Sequence, residues 1–277
     1  MNGPGTMRTQ MGITVAAALV LLAGTAGAQG AKPLTRCAPD AVVSGTVCMD
    51  KYEASVWRVP NATTTNKGLV MKIQQGKATA ALLTAGGATE LGVVGDDYAP
   101  CADSGQNCAD DIYAVSLPGV IPSAAITWFQ AQAACKNARK RLPSNAEWQA
   151  AVIGTPDPGG DNGTTDCNTH SSAHKAVATG SRSSCVSMDG AFDMVGNRDE
   201  WVADWVPPPS FGACSMWTAG VSPTADAQCL VGAPLSGEPG VLMRGGYYFA
   251  GPSAGPLSVL AAASSFRSIG TGFRCAR

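Results

Sequence analysis

His170 and His174, the two histidines of the chain, have the HxxxH spacing that sets two imidazoles on one face of a helix and could hold zinc. Their segment, THSSAHK, is Ser-rich, has no Glu between them and no evident third ligand, so a solvated loop is expected instead. No serine is recognisably paired with a histidine and an aspartate, which leaves nucleophilic hydrolysis without a positive signal. The ten cysteines are a richer resource, but none has CxxC spacing, which speaks against a zinc knuckle or a thioredoxin-like redox pair. Near the C-terminus the stretch GGYYFAGPSAGPL carries no thiol, carboxylate or imidazole. Its Tyr247, Tyr248 and Phe249 are candidate ligand contacts, because aromatic side chains on loops dominate many recognition surfaces. Alternation along a strand would bury at least one of them.

All ten cysteines follow residue 36, and paired thiols suit an oxidising compartment. Spacing suggests four short loops: Cys37 with Cys48, Cys101 with Cys108, Cys167 with Cys185, and Cys214 with Cys229. Cys135 and Cys275 are then left as a distant couple, although sequence alone does not fix the pairing and a nearer partner such as Cys101 or Cys108 stays open. Each short loop contributes about 2 to 3 kcal/mol when its geometry is unstrained.

The elements that position these residues begin after an export signal. Arg8 precedes an apolar run from Ile13 to Leu22, and small residues end at Ala26-Gly27-Ala28, which predicts a signal peptide over 1–28. The apolar run is about half of the roughly 20 residues that a membrane span needs. Losing Arg8 takes the formal net charge from −1 to −2, so there is no electrostatic footprint for nucleic acid. Nothing later suggests membrane insertion, and the expected location is secreted, extracellular or periplasmic.

One domain is expected over 29–277. VVSGTVCM reads as a short hairpin closed by the first cysteine pair, and residues 60–122 as an Ala/Gly/Thr-rich elaboration with a short helix near Lys77 to Thr84. Thr127 with Gln130, and Ser144 with Glu147, are capping-box patterns that predict two short helices. The first puts Trp128, Ala131, Cys135 and Ala138 on one face; the second carries Trp148 inward and stops by Gly154. Beyond it, Gly, Pro, Asp and Asn punctuate the chain every few residues, as for short strands joined by long stapled loops.

The order of KYE, a helix, RLPSNAEWQAA, FDMVGNRDEWVADW, RGG and GFRCAR, from Lys51 to Arg277, resembles the formylglycine-generating-enzyme family, the sulfatase-modifying factors. The resemblance implies an α+β, C-type-lectin-like fold with little regular secondary structure, and it implies a Cys135–Cys275 disulfide. The family's oxidases hold copper on two thiolates just after a GGSY-like turn, soft ligands that suit Cu(I). Those two positions fall here on Ala250 and Gly255, so copper is not expected. A related branch uses three histidines for iron, one more than this chain has. The family also wraps calcium in the loop matching FDMVGNRDEW, which implies Asp193 and Glu200 as side-chain ligands and Gly196 and Arg198 as main-chain ones. Such hard oxygens meet calcium's demand, and Asn168 could belong to a second, weaker site.

The expectation is thus a secreted domain of this family without oxidase chemistry, a calcium-stabilised binding or structural module for an extracellular glycan or protein. The alternative is an oxidoreductase of the same family acting through an unrecognised site. Hypervariable lectin-like proteins with Asn-rich positions near the C-terminus do not match the Ala, Gly, Ser and Pro found here.

Overall fold

A computed structural model describes Met1, Gly3 and residues 34–170, 174–207, 215–217, 221–222, 224–230 and 239–277. The expected signal peptide therefore lies outside the described residues, apart from Met1 and Gly3. Residues Lys32–Arg277 form one unit.

The predicted hairpin is present: β1 (Ala41–Ser44) and β2 (Val47–Asp50) pair antiparallel, with Ser44 opposite Val47. A two-residue connection needs a left-handed residue to match strand twist, and Gly45 supplies φ +58°. Cys37–Cys48 closes the hairpin. β3 (Ala54–Arg58) follows. The elaboration then adds two helices, α1 (Lys67–Gln74) and α2 (Ala80–Ala85), and two strands, β4 (Thr89–Leu91) and β5 (Ile112–Ser116). The predicted helix near Lys77 to Thr84 is α2, capped by the Thr79 hydroxyl; α1 was not foreseen. β4 and β5 flank β3 in a three-stranded antiparallel sheet. Leu69, Ile73 and Leu83 from the helices pack with Trp57, Tyr113, Val115 and Leu117, so this segment contributes core and is no mere surface insertion.

α3 (Trp128–Asn137) and α4 (Asn145–Ala151) stand where the capping patterns put them, and both capping boxes are complete. Each such cap is worth about 1 kcal/mol. α3 buries Trp128, Ala131 and Cys135, and Ala138 at its end is buried as well. The remaining strands are β6 (Asp199–Val206), β7 (Ser215–Met216), β8 (Ala227–Cys229), β9 (Gly240–Gly245), β10 (Gly255–Ala262) and β11 (Thr271–Phe273). They form one sheet in the order β11-β6-β9-β10-β8-β7, with β11 parallel to β6 and β8 parallel to β10.

Cys135–Cys275 links α3 to the residues after β11, as the resemblance implied, and Cys101–Cys108 and Cys167–Cys185 form as spacing suggested. Cys229 is also disulfide-bonded; Cys214 lies outside the described residues. Among the described residues no helix is long and apolar enough to cross a membrane.

Candidate functional site

β9 ends at Gly245 and Gly246, both left-handed at φ +89° and +80°. A Cβ on Gly246 would lie 2.6 Å from the Ala254 Cα, so only glycine lets the turn close against the start of β10. The three aromatics sit in this turn and not on a strand. Tyr248 is buried and Tyr247 partly so, their rings edge-on at 5.3 Å, whereas Phe249 is 46% exposed. The Phe249 ring lies 4.5 Å from that of His174 and 5.6 Å from that of His170. Both histidines are exposed and neither is helical, so HxxxH makes a surface aromatic group with Phe249 here and not a helical ligand pair.

Ala250 then caps a short 3-10 turn, Gly251–Ser253, and Gly255 opens β10. The space beside Gly255 is filled. A Cβ there would meet Asp226 Oδ1, Cγ and Oδ2 at 2.1, 2.3 and 2.4 Å. Asp226 is anchored in that place: Thr224 Oγ1 lies 2.5 Å from its Oδ1, and the Leu257 amide donates to its Oδ2 at 2.8 Å. Thr224 Oγ1 is also 2.6 Å from Asp157 Oδ2. Burial, with the Asp226 carboxylate alongside, raises Asp157 to about 6. Copper does not fit this donor set, because neither Ala250 nor Gly255 offers sulfur and a carboxylate occupies the second position.

The loop expected to take calcium lies behind that turn. Asp193 (φ +58°), Gly196 (φ +73°) and Asn197 (φ +58°) curl the chain so tightly that a Gly196 Cβ would sit 2.4 Å from the Asn168 carbonyl oxygen. The loop's two carboxylates have separate fates. Asp193 Oδ2 accepts from the Gly180 amide at 2.7 Å, and burial raises its pKa to about 7. Glu200 is held by Arg274 instead: Nε lies 2.9 and 2.8 Å from Oε1 and Oε2, Nη2 lies 2.6 Å from Oε1, and Trp148 Nε1 donates to Oε2 at 2.7 Å. The whole arrangement is buried, and a carboxylate has about four lone-pair sites. Three hydrogens, from Arg274 Nε, Arg274 Nη2 and Trp148 Nε1, therefore take most of the Glu200 lone pairs, and a dication in this loop would share that carboxylate with Arg274.

A main-chain role for Arg198 leaves its cationic side chain to turn away from the loop. It is directed to the Ile269 and Pro122 carbonyls and lies over the Tyr248 ring. Asn168 Nδ2 donates to Lys175 O and Asn197 Oδ1, while its own Oδ1 is buried without a partner. That single unpartnered oxygen does not by itself make a calcium site, which takes six to eight. Trp201 is buried in the core, but Trp205 further along β6 is 43% exposed.

Two residues to which the sequence reading gave no role hold the loop. Asn197 is buried, accepts from the Val177 amide and donates to Glu53 Oε2 at 2.5 Å. Glu53 is fully buried, and burial, then the Asp193 and Glu200 carboxylates, push its pKa well above the ordinary value. Both lie inside quoted landmarks, KYE and VGNRDE, and a polar residue between core positions was the signal to follow.

Among solved structures the chain is similar to the Major Tropism Determinant U1 variant (15% identity, TM-score 0.44, covering 87% of this chain and 53% of that one). PvdO from Pseudomonas aeruginosa is similar at 18% identity and TM-score 0.37, covering 85% of this chain and 82% of that one. CarF is similar at 16% identity and TM-score 0.33, covering 56% and 67%. The chain spans about half the length of the Major Tropism Determinant I1 variant, of which it covers 50%. No curated protein matches it. The Sulfatase-modifying factor enzyme 1-like domain matches residues 41–277, almost the whole described body, and the chain belongs to that family of formylglycine-generating-enzyme-like proteins.

Proposed function

We propose that this chain is an exported member of its family that works as a binding or structural module and does not oxidise protein cysteines. The observation that carries this reading is the carboxylate of Asp226 packed against Gly255, at the second family copper position, with Ala250 at the first. Soft ligands are the means by which such a site would select Cu(I), and neither residue supplies one. Export is supported by the N-terminal segment and by the cysteines, none of which is free among the described residues. The exposed ring of Phe249, with His170 and His174 against it, is the natural contact for an extracellular glycan or protein.

The direct test incubates copper-loaded protein with a cysteine-bearing sulfatase peptide under oxygen. The expected result is unchanged peptide; formylglycine product would overturn the proposal. Calcium would have to compete with Arg274 for Glu200, so the loop's rigidity is assigned to that ion pair. Metal analysis of protein purified without chelator, alongside Asp193→Ala and Glu200→Ala, separates the two ideas. Stoichiometric calcium in the parent that disappears in both variants would restore the calcium reading.

A further inference from the structure

A concavity lies on other elements than the turn at Ala250 and Gly255. It encloses about 670 Å³, within the roughly 300 to 1,000 Å³ range of small-molecule sites. Four segments converge on it: the turn before β1, the link from β2 to β3, the connection between α1 and α2, and the residues at and after the end of β5. Close packing defines its shape. Gly76 (φ +66°) comes so near the turn before β1 that a Cβ would lie 2.0 Å from Asp40 Oδ1. Tyr52 is fixed between the Phe192 ring, stacked at 5.4 Å, and Gly180, where a Cβ would lie 2.7 Å from the Tyr52 ring.

The lining has two kinds of group. Ala78, Ala80, Ala81, Leu117 and Pro118 are apolar. Lys51 and Lys77 bring two positive charges, and neither has an ion-pair partner among the described residues. The Lys51 ammonium lies over the Tyr52 and Phe192 rings at 5.6 and 5.7 Å, which orients it without neutralising it. The carboxylate in the lining, Asp40, is already matched by Lys140 at 2.7 Å and Arg277 at 2.9 Å. The Ser116 hydroxyl accepts from the Tyr52 amide and keeps its own hydrogen to donate. The concavity therefore has two uncompensated cations and a free hydroxyl donor above an apolar wall.

We infer that this concavity binds a small organic anion with an apolar body, its charged head between Lys51 and Lys77 and its body against Leu117, Pro118 and the α2 alanines. Charge complementarity selects the anion, and the apolar wall distinguishes it from a bare inorganic ion. This goes beyond the proposed function and stands or falls separately from it, since no residue of the copper-equivalent turn takes part.

Calorimetric titration of the intact protein with 1-naphthoate tests the inference, with uncharged 1-naphthamide and with acetate as the two half-ligands. Naphthoate should bind saturably, and each half-ligand at least about tenfold more weakly. Lys51→Gln/Lys77→Gln should weaken naphthoate by about tenfold or more. Ala81→Glu, an exposed rim position, should do the same by charge repulsion while leaving the melting curve in place. Equal binding of acid and amide, binding unaffected by the lysine pair, or no saturation up to about 10 mM would each overturn it.

Discussion

Asp226 holds its carboxylate against the Cα of Gly255, so that any side chain at residue 255 would collide with Oδ1, Cγ and Oδ2 at 2.1 to 2.4 Å. At the position that the resemblance matches to the second copper thiolate there is thus neither a sulfur nor the space for one. Gly255→Ala should cost about 1 to 3 kcal/mol, the usual range for overpacking. Adding Asp226→Gly should recover part of that loss, giving a coupling that thermal denaturation of the four-member mutant cycle can read. Additive losses would mean that the two residues do not compete for one space. Ala250→Cys/Gly255→Cys alone should remain unable to oxidise a peptide cysteine.

The Glu200 and Arg274 pair ties β6 to the residues after β11, and Arg274 also donates to the Asp50 and Phe192 carbonyls. Removing one charge leaves the other buried and unmatched. Glu200→Gln should therefore destabilise by about 3 to 5 kcal/mol in urea denaturation, the range for breaking a buried pair from one side. A loss near zero would mean that the guanidinium finds another partner.

What sequence could and could not disclose follows from how far the deciding contacts reach. The capping boxes at Thr127 and Ser144 close within three residues, so α3 and α4 were legible from their own letters. Spacing of neighbouring cysteines gave the short disulfides, and the family landmarks gave Cys135–Cys275. α1 escaped because its Asn66 makes no side-chain cap, leaving no local signal at its start. Glu200 carried the right letter in the right motif, yet its partner Arg274 stands 74 residues away, a distance over which spacing says nothing. The Asp226 carboxylate at Gly255 is likewise a packing fact, visible only once β8 and β10 are side by side.

The two disulfides of α3 and of the elaboration should differ in strength. Cys135–Cys275 closes a separation of 140 residues and Cys101–Cys108 one of 7. On chain entropy the first is worth up to about 5 kcal/mol and the second about 2 kcal/mol. Cys135→Ser/Cys275→Ser should accordingly lower the urea midpoint about twice as far as Cys101→Ser/Cys108→Ser. The reverse order would show that the short loop matters for native packing beyond its entropy.

The contact between Asp157 and Thr224 should make stability depend on mildly acidic pH. Burial first, and then the Asp226 carboxylate, raise Asp157 from the ordinary 3.8 to about 6. Thr224 has one hydroxyl proton to place between two carboxyl oxygens at 2.6 and 2.5 Å, so a proton on Asp157 supplies the second hydrogen bond. A raised carboxyl pKa means that the folded chain binds this proton more tightly than the unfolded one. The associated stability is complete below the unfolded value of 3.8 and is lost as pH rises through about 6. Asp157→Asn imitates the protonated form in shape and charge. Its melting temperature relative to the parent should rise between pH 4 and pH 7, steeply between the unfolded value of 3.8 and the folded value of about 6 and levelling off above that. A difference that stays flat across that window would show that Asp157 titrates as it does in water and that the Thr224 hydroxyl serves Asp226 alone.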